Sequence, residues 1–251
     1  MAEREPLRFP SEVSSFEPTA AFGSRCTEAG IALEQDELQR LGRFLGLLLA
    51  ANEVVNLTRI TDLPDAWERH VFDALTLLPV LGEAVPSGER LRCIDVGSGG
   101  GVPALPLACV LPEVLFTLVE SVGKKADFLR HAVTSLGLGN VDIRSERAEQ
   151  LAKQRDAHRE AYDVSMCRAL GRLPVAAELT CPLVRPGGLC LFIKGAQAEE
   201  ELEEASEILE LLRAAPAGVI PTATGRVLVL EKVGRSPRRF PRPGGNRRRS
   251  R

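Results

Sequence analysis

The stretch IDVGSGGGVPALPLA at residues 94–108 constrains this chain more than any other, because it places four glycines within five positions between an acidic residue and a proline. Glycine at such a turn lets the backbone reverse sharply and approach a ligand closely, since no Cβ intervenes. The apolar run LRCIDV precedes the glycines and the helical pattern PALPLACVL follows them, so the loop joins a strand to a helix. The alternation then continues with VLFTLVE, KKADFLRHAVTSLGL, a GN turn and VDIR. Further buried strands are expected at 162–169 (YDVSMCRA), at 187–195 (GGLCLFIKG) and in RVLVLEKV, with a helix through EEELEEASEILELLR. Strands alternating with crossover helices predict an α/β fold over residues 89–234: a Rossmann-like, mostly parallel sheet with helices on both faces.

In such a sheet ligands bind beyond the carboxyl ends of the strands, where the strand order reverses. The glycine spacing separates two cofactor classes. A dinucleotide fingerprint, GxGxxG or GxGxxA, would put its third position at Val102, which does not fit. Asp95, Gly97, Gly99 and Gly101 instead make D-x-G-x-G-x-G, which resembles the first motif of class I S-adenosylmethionine (SAM) methyltransferases. That cofactor carries a sulfonium cation and no pyrophosphate, so an acidic neighbour is acceptable. The next strand ends at Glu120, 25 residues after Asp95, where a carboxylate can accept both ribose hydroxyls. Ala148 and Glu149 follow the third strand, in position to line an adenine.

Other candidates divide between functional and structural readings. Arg168 ends the fourth strand, either as a surface cation or as a group aimed at cofactor or substrate, and Lys194 ends the fifth as an anion contact or an exposed lysine. Cys167 is expected to be a packed thiol rather than a nucleophile, because a thiolate needs a basic neighbour. His70 and Asp73 sit three residues apart on one helical face.

Upstream, residues 1–30 are rich in Pro, Ser and Gly and are expected to be poorly structured, while 31–88 form a helical N-terminal extension. One of its helices runs from Asp36 to about Asn52, and a second through WERHVFDALTLLPVL, capped by Thr61 or Asp62 with Pro64 in its first turn. The net charge of −2 conceals an asymmetry. Residues 235–251 hold eight arginines and no acid, so the remaining chain, with 24 basic and 34 acidic side chains, carries −10. That tail is expected to be disordered, or to tether a polyanion locally. The six cysteines form no CxxC pair and the three histidines no ligand spacing, so no metal is expected. With neither an export signal nor a membrane-length apolar stretch, the expected compartment is the cytoplasm.

Taken in order, VNLTRI (55–60), RHVFDAL (69–75), the glycine loop, LVESVGKKADFLR (118–130), LGLGNVDI, ERAE (146–149), CRAL (167–170), KG (194–195) and the basic tail make the chain similar to the RsmG (GidB) methyltransferases of the bacterial small ribosomal subunit. The resemblance implies transfer of a methyl group from SAM to N7 of a guanine in 16S ribosomal RNA near the decoding site, with the RNA or small subunit as partner. Gly97, Val102, Ala148, Glu149 and Arg168 match its cofactor positions, and His70, Asp73 and Lys194 fall within its motifs without assigned roles. Departures from the usual pattern are Glu120 for Asp, Lys124–Lys125 for Lys-Arg and Cys167 for Ser. From the residues alone, a SAM enzyme acting on a small molecule or protein and a non-catalytic RNA-associated assembly factor remain open.

Overall fold

The apolar runs of the second half assemble into one seven-stranded sheet: β1 (Arg92–Val96), β2 (Leu115–Val119), β3 (Val141–Arg144), β4 (Tyr162–Arg168), β5 (Val184–Lys194), β6 (Ala214–Pro221) and β7 (Arg226–Lys232), in the order β3-β2-β1-β4-β5-β7-β6. The structure is a computed structural model that describes residues 5–10, 12–84, 89–154, 157–222 and 224–243. Strands β1 to β5 are parallel, while β7 runs antiparallel to β5 and to β6. Strand β6, AAPAGVIP, was not expected. Its prolines and glycine weaken the alternating signal, and a proline-containing strand is tolerated because it forms the sheet edge beyond β7, with an irregularity between Pro216 and Gly218.

The inner parallel strands β1, β2, β4 and β5 are largely buried, as continuous apolar runs require, while the edge strand β3 is only partly covered. One face packs against α6 (Ala104–Val110), α7 (Gly123–Leu136) and the N-terminal helices; the other against α9 (Leu173–Thr180), α10 (Ala198–Glu204) and α11 (Ser206–Leu212). The acidic segment expected as one helix is therefore two, divided at Ala205, which is buried in the second core.

The helical extension shares the main core rather than forming its own. Helix α2 (Gln35–Asn52) starts at a capping box, with the Glu34 amide donating to Glu37 Oε2 at 2.7 Å, and buries Leu41, Leu45 and Leu48 in one cluster with Phe128 and Leu129 of α7. The segment expected to be poorly structured departs from that reading. Helix α1 (Ala20–Glu28) buries Phe22 against Trp67, with ring centroids 4.7 Å apart, and Phe9 meets Phe128 edge-on at 5.9 Å. Its chain lies along α2 because Gly42 and Gly46 leave room. A Cβ at either position would stand 2.1 Å from the backbone oxygen of Phe16 or Ser14.

The second N-terminal helix is also remodelled. Asp62 caps α3 (Leu63–Ala66) and Pro64 sits in its first turn, but Trp67–Phe72 form a π-helical turn before α4 (Asp73–Leu75) and α5 (Leu78–Glu83). A π turn carries an extra residue, so His70 and Asp73 no longer share the α-helical spacing that their sequence separation implies.

The tail differs from expectation where it is described. Arg159 donates to the carbonyls of Ser236 (3.0 Å), Pro237 (3.1 Å) and Phe240 (2.8 Å), Arg242 pairs with Glu178, and Phe240 is buried in the second core. One aromatic ring and a fork of hydrogen bonds dock a stretch whose composition suggested disorder. Residues 244–251 lie outside the described residues.

Candidate functional site

At the carboxyl end of β1 the sheet order reverses between β2 and β4, and a cleft of about 750 Å³ opens there between the glycine loop and the N-terminal extension. Gly97, Gly99 and Gly101 have φ of +76°, +53° and +83°, the left-handed region that favours glycine. Gly97 is doubly constrained, since a Cβ would stand 2.6 Å from the Leu170 side chain. The Gly97 amide bonds the Val119 carbonyl at 2.8 Å, tying the loop to the tip of β2.

Glu120 closes this loop. Its Oε2 accepts from the Gly99 amide at 2.9 Å and its Oε1 from the Val122 amide at 2.7 Å, so the carboxylate holds the loop's shape as well as lining the cleft. Each oxygen keeps a second lone pair for a diol. Beneath the loop, Asp95 is 1% exposed and both carboxyl oxygens lack a hydrogen-bond partner among the described residues. Burial pushes its carboxyl up to about 8, with a contribution from Glu120 and a partial offset from Ser98. A buried acid without a hydrogen-bond partner, held neutral by burial, gives up its proton most readily when a cationic centre approaches the glycine cradle, and the glycine–carboxylate rim suits a ribose. The residues present therefore fit SAM.

The opposite wall comes from the extension. Asn52 Oδ1 accepts from the Leu57 and Thr58 amides (2.8 and 2.9 Å), which folds the NLTRI segment into a loop facing the glycines. Thr58 Oγ1 lies 3.0 Å from His70 Nε2, and Arg168 Nη1 lies 3.5 Å from His70 Nδ1 while donating to the Arg69 carbonyl. Arginine is a donor only, so Nδ1 presents its lone pair to Arg168 and Nε2 carries the proton toward Thr58. Burial, reinforced by the Arg168 charge, lowers His70 to about 4, so the ring is neutral at physiological pH. Asp73 is fully buried, accepts from Thr224 Oγ1 at 2.6 Å and interacts electrostatically with Arg168. His70, Asp73 and Arg168 thus knot the extension to the tip of β4 and the β6–β7 turn.

Gly97, Gly99, Val102, Glu120, His70 and Arg168 line the cleft together. Asp95, Gly101 and Asp73 stand behind its wall, and Ala148 and Glu149 begin α8 (Ala148–Leu151), away from the lining, with Ala148 packed among Ile94 and Val96. Lys194 departs from the open anion contact considered above: it pairs with Glu201 at 2.8 Å and donates to the Gly171 carbonyl, because acidic α10 crosses the end of β5. Cys167 is buried and its thiol is pushed up by desolvation, so it carries no reactive thiolate. Asn56, Arg59, Arg69 and Lys125 also line the cleft. The NLTRI, RHVFDAL and KK motifs held them in view, but no local pattern gives their direction. Among the described residues no group of His, Cys, Asp and Glu is arranged to hold a metal ion, and no helix is long and apolar enough to cross a membrane.

A parallel sheet in this order with an antiparallel β7, a glycine loop at the tip of β1 and a carboxylate at the tip of β2 define a class I methyltransferase fold. An O-methyltransferase from Bacillus cereus, solved in complex with SAH, shares it with a TM-score of 0.54 at 15% identity, over 84% of this chain and 97% of its own. Residues 37–226 match the family model GidB, rRNA small subunit methyltransferase G, and the chain belongs to that family. Ribosomal RNA small subunit methyltransferase G of Sorangium cellulosum is 47% identical over 95% of this chain and 98% of its own length. The protein of the same name from Geobacillus kaustophilus is 36% identical over 89% and 94%.

Proposed function

We propose that the protein transfers the methyl group of SAM to N7 of a guanine in 16S ribosomal RNA, in the cytoplasm and with the small ribosomal subunit or its RNA as partner. The observation that carries this reading is a single cleft with two unlike walls: the glycine–Glu120 rim, which suits a nucleoside cofactor, and the arginine-bearing NLTRI wall, which suits an RNA base and its phosphates. When bound, SAM supplies an electrophilic methyl group on a sulfonium.

Glu120 accepts from the ribose while its bonds to Gly99 and Val122 hold the loop. Arg59, Arg69 and Lys125 bring positive charge to the cleft wall, where it attracts the RNA backbone. Guanine N7 carries a lone pair and no proton, so the chain need not supply a general base. None is offered by His70, whose lone pair faces Arg168, or by Cys167. The protein's contribution is to align acceptor and methyl group and to exclude water. In duplex RNA the deep A-form groove hides N7, so an unpaired or splayed guanine is the substrate form this cleft can receive.

The test is mass mapping of modified nucleosides in ribosomal RNA from cells with and without the protein. Loss of one 7-methylguanosine from 16S RNA, restored by the wild-type gene, is expected. An unchanged 16S modification pattern overturns the reading.

A further inference from the structure

A second cleft, of about 690 Å³, lies at the amino ends of the strands, across the sheet from the methyl-transfer site. Arg159, Glu160, Arg185, Arg235 and Arg238 contribute to its walls. The docked C-terminal segment makes one of these walls and is held firmly: the Ser236 amide donates to Glu160 Oε1 at 2.9 Å, its hydroxyl to the Leu212 carbonyl at 3.0 Å, and Arg159 grips three carbonyls beyond it.

That anchoring uses backbone groups, the Ser236 hydroxyl, the Phe240 ring and Arg242, and leaves Arg235, Arg238 and Arg239 exposed, the last lying over the Phe240 ring. The Arg235 side chain is 85% exposed and 3.8 Å from Glu160, and Arg238 and Arg239 are exposed beside it. Arg185 spends its Nε on Asp163 at 2.6 Å and keeps a side chain 41% exposed. The acid that lines this cleft, Glu160, and the Asp163 that pairs with Arg185 already accept from backbone amides, of Ser236 and Arg92 respectively. Guanidinium forks on an immobilised backbone match phosphate oxygens, and little further ordering is needed for them to bind. The chain outside residues 235–251 carries −10, so a polyanion is drawn to this locality and not to the surface at large.

We propose that this arginine cleft is a second RNA contact: a built site for the phosphodiester backbone of ribosomal RNA, at the end of the sheet opposite the glycine loop, and not a loose tether. The proposal rests on the ribosomal RNA reading above, and its test separates the two.

Full-length protein, the variant R235Q/R238Q/R239Q and a chain ending at Pro243 are titrated with protein-free 16S RNA and with small ribosomal subunits at several salt concentrations, alongside SAM. The triple variant should bind both RNA-containing probes on the order of tenfold more weakly, with a salt slope lower by roughly 0.7–0.9 per lost phosphate contact. Its SAM affinity and its turnover at saturating RNA should match wild type. The chain ending at Pro243 should lose less than the triple variant. Equal affinities and slopes for wild type and triple variant, in a protein that still methylates RNA, overturn the second contact alone. A loss confined to the shorter chain restores the loose tether. A triple-variant defect seen with subunits but absent with protein-free RNA assigns the cleft to an acidic ribosomal protein and overturns the phosphate assignment. Wild type that neither binds nor methylates either probe overturns both readings.

Discussion

The two walls of the methyl-transfer cleft are built in opposite ways. The cofactor rim is local and open: β1, the glycine loop and Glu120 lie within 30 residues, and their polar groups bond backbone amides and face the cleft. The extension wall is non-local and closed, because Arg168 reaches back 99 residues to the Arg69 carbonyl and Thr224 reaches 151 to Asp73. A short-range loop can be exact about a ligand without holding the fold together. A long-range polar knot does the reverse: it fixes where the second wall stands, and its failure is felt by the whole molecule.

Arg168→Ala should separate the two walls most sharply. Removing the guanidinium takes a favourable charge from the buried Asp73 and the donor from the Arg69 carbonyl, and costs about 3–5 kcal/mol of stability, read as a lower denaturant midpoint. A variant as stable as wild type would show that the wall stands without the knot. The second effect is acid sensitivity. The folded pKa of His70, about 4, lies below its ordinary 6.5, so the neutral ring contributes stability that is complete above pH 6.5 and is lost as pH falls toward 4. That loss amounts to about 3 kcal/mol and levels off below the folded pKa. In His70→Gln the pH 4–6.5 slope of stability should flatten; an unchanged slope removes His70 from the account.

Glu120→Ala should act on the other wall. SAM affinity, read by calorimetry, is expected to fall by about 1.5–3 kcal/mol, while global stability changes by about 1 kcal/mol as two loop amides lose their acceptor. Equal SAM affinity in the folded variant would break the assignment of the rim. Cys167→Ser is the smallest change: turnover should stay within about twofold, since N7 attacks with its own lone pair and needs only alignment. Loss of all activity in a folded variant, or a protein–RNA adduct through Cys167, would overturn the mechanism.

The same division explains what could be read from the sequence. The glycine loop, the carboxylate 25 residues on and the strand–helix alternation are short-range patterns, and β1 to β5 and β7 appear where the apolar runs place them. Strand β6 escaped because its pairing is supplied by β7 and not by its own composition. The π turn at Trp67–Phe72 escaped because a helical pattern does not show where one extra residue is inserted. Gly42 and Gly46 escaped because a glycine four residues from another on a helix does not show what approaches it, and only the fold shows that they receive Phe16 and Ser14. Lys194 reads in the sequence as an anion contact or an exposed lysine and the tail as disordered or a tether, and both are tied down by acids that the sequence does not show facing them: Glu201 in the next helix for the first, and Glu178, 64 residues back, for the Arg242 end of the second.

That docked tail also bears on how the molecule is made. Phe240 and Arg242 follow every strand of the sheet, and they complete the core beneath α9 and α11 and satisfy the buried Glu178. During synthesis β1 to β4 and their helices emerge early and can begin to pair, whereas β7, the spacer between β5 and β6, and the residues that seal this core emerge last. The nascent chain therefore holds one half that can pair and one half with exposed apolar surface until Phe240 and Arg242 have emerged. A premature stop a few codons before Phe240 would spare every residue of the methyl-transfer cleft and still remove the ring that seals the second core.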